Sequence, residues 1–342
     1  MSVVLGVLAR IYGAVVWIRG WLYDRGLIAS YKSSLPVVSI GNITAGGNGK
    51  TPLCLFIADA LAKRGLRPAI VSRGYGGKVK GPHRVMPGDT PSNVGDEPVL
   101  MARHGYPVYI ARRRVAAVKQ IERDAAADVI ILDDGLQHRR LCRDLDVVSV
   151  FAGTREAVDE FIKGELLPLG LFRESRSRAL QRASLVVVSQ RKVMEERDLP
   201  EVDPRIVRVV PDDVEVYRSY LSPRKVSSLA SGQDVCPGTI AAFAAIANPA
   251  AFFESLEGLG FQLQEQFSYS DHYQYNESDI ERMLSRVPDT WLVCTEKDAV
   301  KLEGMPSELL ERIAVLRVVA RVVPEERFIA HVCSRLRHKR DE

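Results

Sequence analysis

Hydrophobic positions along the chain follow two rhythms. Short β-branched runs, suited to strands buried on both faces, alternate with stretches of helical spacing. The first run is Val37-Val38-Ser39-Ile40. Beyond a glycine-rich turn it gives way to Leu53, Phe56, Ile57, Ala60 and Leu61. Ala69–Ser72, Pro107–Ile110, Asp128–Leu132, Asp146–Phe151 and Ser184–Ser189 repeat the strand pattern, with helices predicted from Pro98 and over 112–124. Strands and helices in alternation over short connections predict a doubly wound, mostly parallel α/β sheet. The pattern then changes. Ile206–Val210 and Val214–Tyr217 alternate around Pro211-Asp212-Asp213 and read as a β-ribbon linker. Thr239–Ala247, Phe261–Phe267, Trp291–Thr295 and Ala314–Val323 read as further strands, with helices over 250–259 and 277–286 and a basic helix at the end. The expected organisation is a larger domain over 31–220 and a smaller α/β domain over 221–342, with an apolar helix over 1–30 belonging to the first. The docking of the final helix is left open between the two.

The segment 1–30 is strongly apolar, but Arg10, Arg19 and Arg25 interrupt it, so no run reaches the length of a spanning helix. Arg10 also breaks the apolar region that a signal peptide needs. Apolar bulk, Trp17, Trp21 and spaced arginines fit a helix lying in a membrane interface, with arginines reaching the headgroups. A helix packed on the protein's own core would share the composition. The net charge of +4 is too small to argue for nucleic acid. Clusters such as Arg112-Arg113-Arg114, Arg139-Arg140 and Arg173–Arg178 suit solvated faces, an anionic surface or a phosphorylated substrate. The five cysteines are scattered without C-x-x-C spacing, which argues against a zinc site and a disulfide framework.

The turn after the first strand is Gly41-Asn42-Ile43-Thr44-Ala45-Gly46-Gly47-Asn48-Gly49-Lys50-Thr51. Strand, glycine-rich turn, Gly-Lys-Thr and helix is the layout of a P-loop. In that motif Thr44, Ala45, Gly46, Gly47, Asn48 and Gly49 wrap a phosphate, Lys50 reaches the terminal phosphates, and Thr51 ligates magnesium. Thr44 stands where most P-loops carry their first glycine. Asp133 and Asp134 end an apolar strand, as a Walker-B carboxylate does beside magnesium. Together the two motifs predict a nucleoside triphosphate and Mg2+, without distinguishing a kinase from a GTPase, a motor or another ATPase. No guanine-reading N-K-x-D occurs; Thr295-Glu296-Lys297-Asp298 is only loosely similar. Asp96, Glu97, Asp133, Asp134, His138, Glu174 and His272 are candidate acids and bases by position, and spacing alone does not rank them. Asp96 and Glu97 could equally cap a helix.

In order along the chain come the P-loop through Pro52, Ser72-Arg73-Gly74-Tyr75-Gly76, Gly95-Asp96-Glu97-Pro98, Asp133–His138, Leu167-Pro168-Leu169-Gly170, Arg173-Glu174, Asp271-His272 and Thr295–Lys301. In this the sequence resembles the tetraacyldisaccharide 4′-kinases of lipid A biosynthesis over nearly its whole length. Phe172 and Ser175 depart from the family's pattern. The resemblance implies a P-loop kinase fold and ATP- and Mg2+-dependent phosphorylation of the 4′-hydroxyl of a tetraacylated glucosamine disaccharide 1-phosphate. The expected location is the cytoplasmic face of the inner membrane, with an anionic lipid surface as partner and no oligomer implied. It also implies Asp96 as general base, His272 as its partner from the second domain, and Thr51, Asp133 and Asp134 at the metal. Glu97, His138 and Glu174 are read as serving the metal's surroundings, the substrate or the structure, and Arg73 as a phosphate contact or a surface arginine. The alternatives carried forward are a P-loop ATPase regulating a membrane complex and a non-catalytic nucleotide-dependent membrane-binding protein.

Overall fold

The computed structural model describes residues 2–46 and 49–337; Gly47 and Asn48, read above as phosphate-binding, lie outside the described residues. Its strands are β1 (Val37–Gly41), β2 (Pro68–Ser72), β3 (His83–Arg84), β4 (Val108–Ile110), β5 (Val129–Asp133), β6 (Leu145–Phe151), β7 (Leu185–Val193), β8 (Glu215–Ser228), β9 (Thr239–Ala244), β10 (Gln262–Ser268), β11 (Trp291–Thr295) and β12 (Ile313–Val323). They form one sheet in the order β10-β9-β11-β12-β8-β7-β6-β1-β5-β2-β4-β3. All pairings are parallel except β8 with β12 and β3 with β4. Every residue of β1, β2 and β5 is buried, as strands covered by helices on both faces require.

The sheet positions the site through two places where the strand order reverses. β1 lies between β5 and β6, and β9 lies between β10 and β11. Ligands of α/β sheets bind in the crevice beyond the carboxyl ends of strands at such points. Here the segments after β1, β5, β9 and β11 all line one cavity of about 1340 Å3.

The boundary read near residue 220 falls inside β8. The two halves are joined by an antiparallel pair, but it is β8 with β12 rather than 206–210 with 214–217: β8 begins at Glu215, pairs first in parallel with β7, and continues antiparallel to β12. Residues 204–207 are helical rather than extended. Pro204 occupies the first turn, and the Asp203 carboxylate accepts from Arg205 N. Ile206 and Val210, four residues apart, turn inward together, which is helical spacing that a two-residue reading mistakes for a strand.

Among the helices at the site are α1 (Ser2–Asp24), α2 (Lys50–Ala62) and α4 (Asp96–Arg103), the last preceded by the short helix α3 (Pro91–Val94). The final helix, Glu325–Arg337, packs back on the first half. Its Phe328 ring lies 6.1 Å from Phe56 of α2 and edge-on to Tyr217 at 5.1 Å.

Candidate active site

Asn42, wholly buried at the end of β1, organises the phosphate loop. Its Nδ2 donates to Thr44 O at 2.7 Å and Gly46 O at 3.2 Å, and its Oδ1 accepts from Lys50 Nζ at 3.1 Å. Gly49 caps α2 in the left-handed conformation (φ 68°), a geometry that side chains disfavour. Thr44 forms an antiparallel bridge with Phe172, Ala45 N donates to Leu171 O at 2.8 Å, and Arg173 N donates to Ile43 O at 2.9 Å. The residue in place of the usual first glycine is therefore paired like a strand residue, where a β-branched side chain is favoured over glycine. Lys50 continues toward Asp134 at 3.4 Å, and Thr51 opens the first turn of α2.

The two aspartates at the end of β5 differ. Asp133 is buried and accepts from Ser72 Oγ at 3.0 Å; burial and the Asp134 charge push its carboxyl up. Asp134 accepts from Arg173 Nη1 at 3.0 and 3.1 Å. Burial opposes its charge, yet Lys50 and Arg173 hold it below the ordinary carboxylate range. Thr51, Asp133 and Asp134 are a hard-oxygen donor set on one side of the cavity. Among the described residues, no group of three His, Cys, Asp or Glu could hold a metal alone. That fits magnesium, which keeps waters and substrate phosphates in its shell. A Cβ at Gly46 or Gly49 would meet no atom within 4 Å.

Across the cavity, Gly95 (φ 97°) turns the chain into α4; a Cβ there would lie 2.5 Å from Tyr75 O. The turn sets Asp96 at the first position of α4, 3% exposed. The N-cap is Gly95, although Asp96 Oδ1 accepts from Glu97 N at 3.1 Å in the first turn. His272 Nδ1 lies 2.9 Å from Asp96 Oδ2 and 3.1 Å from Oδ1, although 176 residues separate them. His272 takes a left-handed backbone (φ 63°), with its N–H donating to Ala245 O at 3.3 Å, and its ring lies 5.2 Å from that of Tyr75. Such conformations persist where the surroundings over-determine them. The Asp96 hydrogen bond raises the His272 pKa above its usual value. Burial opposes the Asp96 charge, but His272 and Lys297 outweigh it and lower its pKa. His272 is the member of the pair that faces the cavity. Glu97 lines it too, its carboxyl raised to about 7 by desolvation and by Asp133.

The remaining candidates separate. His138 lines the cavity with a buried Nε2 that has no partner, and burial and Arg114 bring its pKa down to about 4. Glu174 is buried between Gln137 Nε2 at 3.2 Å and Arg182 Nη2 at 2.7 Å, a bracing position in the wall. Arg73 is exposed at the cavity edge. Sequence reasoning missed Asn42, Arg173 and Lys297 as site residues. Asn42 and Lys297 stood inside quoted motifs, but an amide in a turn and a lysine in a polar loop carry no spacing signal.

α1 forms another wall. Tyr12 Oη donates to Arg173 O at 2.8 Å, Arg139 donates to Gly20 O at 2.9 Å and to Asp24 at 2.6 Å, and the Arg178 guanidinium lies 5.0 Å from the Trp17 ring. The opposite face is bare: Val4, Val7, Leu8, Ile11, Val15 and Ile18 form one exposed apolar stripe at helical spacing. Contrary to the expectation from the spaced arginines, α1 is, among the described residues, long and apolar enough by length and composition to cross a membrane.

Residues 1–337 match the family model described as tetraacyldisaccharide-1-P 4′-kinase, LpxK. The tetraacyldisaccharide 4′-kinase of Aeromonas salmonicida is 37% identical over 299 residues, covering 87% of this chain and 83% of the relative. That of Syntrophus aciditrophicus is 36% identical over 350 residues, covering 96% and 91%. Among solved structures, LpxK from Aquifex aeolicus in complex with ATP superposes with a TM-score of 0.76 at 25% identity, covering 98% of this chain and 99% of that one.

Proposed function

The chain belongs to the tetraacyldisaccharide-1-phosphate 4′-kinase family, and from that membership we propose how its cavity carries out the transfer. It is an ATP- and magnesium-dependent kinase of lipid A biosynthesis that phosphorylates the 4′-hydroxyl of a tetraacylated glucosamine disaccharide 1-phosphate. The ATPase alternative, with no acceptor, is set aside. When bound, ATP with magnesium supplies a phosphoryl group whose charge is spread over its oxygens. Lys50 and the N-terminus of α2 hold the phosphates, helped by the helix's partial positive charge. Thr51, Asp133 and Asp134 hold the metal, and Asn42 keeps the Lys50 ammonium extended along the loop.

The acceptor hydroxyl gives its proton to the Asp96–His272 pair. His272 faces the cavity and takes the proton at Nε2; Asp96, read from the sequence as the base, lies buried behind it, accepts from Nδ1 and raises the imidazole's proton affinity. The observation that carries this reading is the 2.9 Å contact joining α4 to the loop after β10 inside the cavity that Lys50 also lines. Closing two halves around a hydroxyl also keeps water from taking its place. α1 lies at the cytoplasmic face of the inner membrane, its bare stripe in the lipid and its opposite face forming the cavity wall. An acylated sugar then reaches the cavity without leaving the bilayer. Arg19 of α1, with Arg139 and Arg178 beside the helix, suits anionic headgroups and the substrate's 1-phosphate.

The test is transfer of label from γ-labelled ATP to the disaccharide 1-phosphate presented in anionic vesicles. Label on the 4′-oxygen is expected. ATP loss without labelled lipid would return the chain to the ATPase class.

A further inference from the structure

Lys297 lies where the two halves meet, and neither the phosphate loop nor the metal carboxylates account for it. It follows β11 in the short helix Glu296–Ala299. Its side chain is 18% exposed, and its ammonium approaches four groups. Asp271 Oδ1 is at 3.1 Å, His272 Nε2 at 3.4 Å, Asp96 Oδ2 at 3.8 Å and Glu97 Oε1 at 3.8 Å. Two of these sit on α4 in the first half and two on the loop after β10 in the second. The Asp271 hydrogen bond fixes the ammonium. The 3.8 Å separations exceed hydrogen-bond reach, so toward Asp96 and Glu97 it acts through its charge.

Two carboxylates beside one imidazole, Asp96 and Asp271, favour its doubly protonated form, which has no lone pair to accept a proton. One cation among them opposes that. Burial works against the Lys297 ammonium, but Asp96, Glu97 and Asp271 outweigh it and raise its pKa, so it stays charged.

We infer that Lys297 is a positioning residue for proton acceptance. With its charge 3.4 Å from His272 Nε2 it disfavours a proton there and offsets the surrounding carboxylates, so the imidazole proton stays on Nδ1, against Asp96, and the Nε2 lone pair is left for the acceptor's proton. The charged and titratable groups facing His272 are Asp96 from α4, Asp271 beside it, and Lys297, with Lys301 acting on Asp96 from behind. The inference deepens the Asp96–His272 reading above and rests on it.

The test compares Lys297→Met and Lys297→Arg in the labelled-lipid assay. Lys297→Met is expected to lower kcat about 100-fold, the low end of the range for general acid–base groups, and to leave KM for ATP within about threefold. Its acid limb in the pH profile of kcat is expected to move to higher pH, because removing a cation raises the proton affinity of both Asp96 and His272. Lys297→Arg keeps the charge and is expected to hold the limb in place. Combining Lys297→Met with His272→Gln should lower kcat no further than His272→Gln alone, since the lysine acts through the histidine. If Lys297→Met is poorly folded by thermal melting, Lys297→Gln takes its place and the position of the acid limb decides. An unmoved limb, or losses that multiply fully in the double variant, overturns the inference. Parental turnover in both Asp96→Asn and His272→Gln overturns instead the reading on which it rests.

Discussion

The loop that carries Lys297 is held from beneath by a buried ion pair, and its removal has a calculable effect. The side chains of Lys301 and Asp298 are both 0% exposed, with Nζ 2.9 Å from Oδ1. Lys301 also donates to Ala245 O at 3.3 Å. Asp298 Oδ1 accepts from Ala245 N at 3.1 Å and Tyr275 Oη at 3.2 Å, and its Oδ2 accepts from Thr295 Oγ1 at 2.7 Å. Lys301→Met keeps the stem and deletes the charge. Breaking a buried pair from one side costs about 3–5 kcal/mol, because the other charge is left uncompensated. Three donors still reach Asp298, so the lower end, about 3 kcal/mol, is expected, a factor of about 100 in the folded ratio. With a urea slope of about 3 kcal/mol per molar, the midpoint falls by about 1 M. Ala245 also receives the His272 N–H, so turnover should fall with it. Lys301→Met/Asp298→Asn removes both charges and keeps an acceptor for Ala245 N, and it should regain more than half the lost midpoint. A shift in Lys301→Met below about 0.2 M, or a double variant less stable than Lys301→Met itself, would refute the reasoning.

Other outcomes follow from the same geometry. His272 has its pKa raised on folding, so its stabilisation is complete below its unfolded pKa and lost as pH rises through the folded one. Asp96 has its pKa lowered, so its contribution holds above its unfolded pKa and is lost as pH falls through the folded one. The excess of parental thermal midpoint over His272→Gln should therefore be largest between about pH 4 and 6.5 and shrink toward pH 9; a gap independent of pH contradicts the pairing. Ile11→Glu/Val15→Glu places two charges in the bare stripe of α1 and should abolish flotation with anionic vesicles while sparing ATP binding measured by calorimetry. Lys50→Ala removes the cation that Asn42 holds along the phosphate loop and should weaken ATP binding at least about tenfold, the equivalent of one charge-assisted contact.

The first half of the fold was legible because its strands are buried on both faces and read as unbroken apolar runs. Thr44 was legible as part of a motif, but its physical reason, the bridge to Phe172, lies over a hundred residues downstream. Ile206–Val210 misled because two apolar pairs around a turn look alike as ribbon and as one helical turn. Pro204 after Asp203 was the discriminating signal. At the site, each catalytic candidate stood inside a short motif, whereas the relations between them did not. Asp96 and His272 meet only because β9 and β11 bring a second reversal of strand order to the cavity opened by β1. Lys297 becomes visible only once that approach puts one ammonium among carboxylates from both halves.

The central claim is that Asp96 and His272 act together on the acceptor's proton, apart from nucleotide binding. A rapid-quench single-turnover measurement with labelled ATP and the disaccharide 1-phosphate tests it directly on Asp96→Asn, His272→Gln and the double variant. The account predicts nucleotide affinity near the parent's in all three, with transfer slowed about 100-fold or more in each and little further in the double. Transfer at the parental rate in Asp96→Asn, or a slowing that tracks lost ATP affinity, would contradict it.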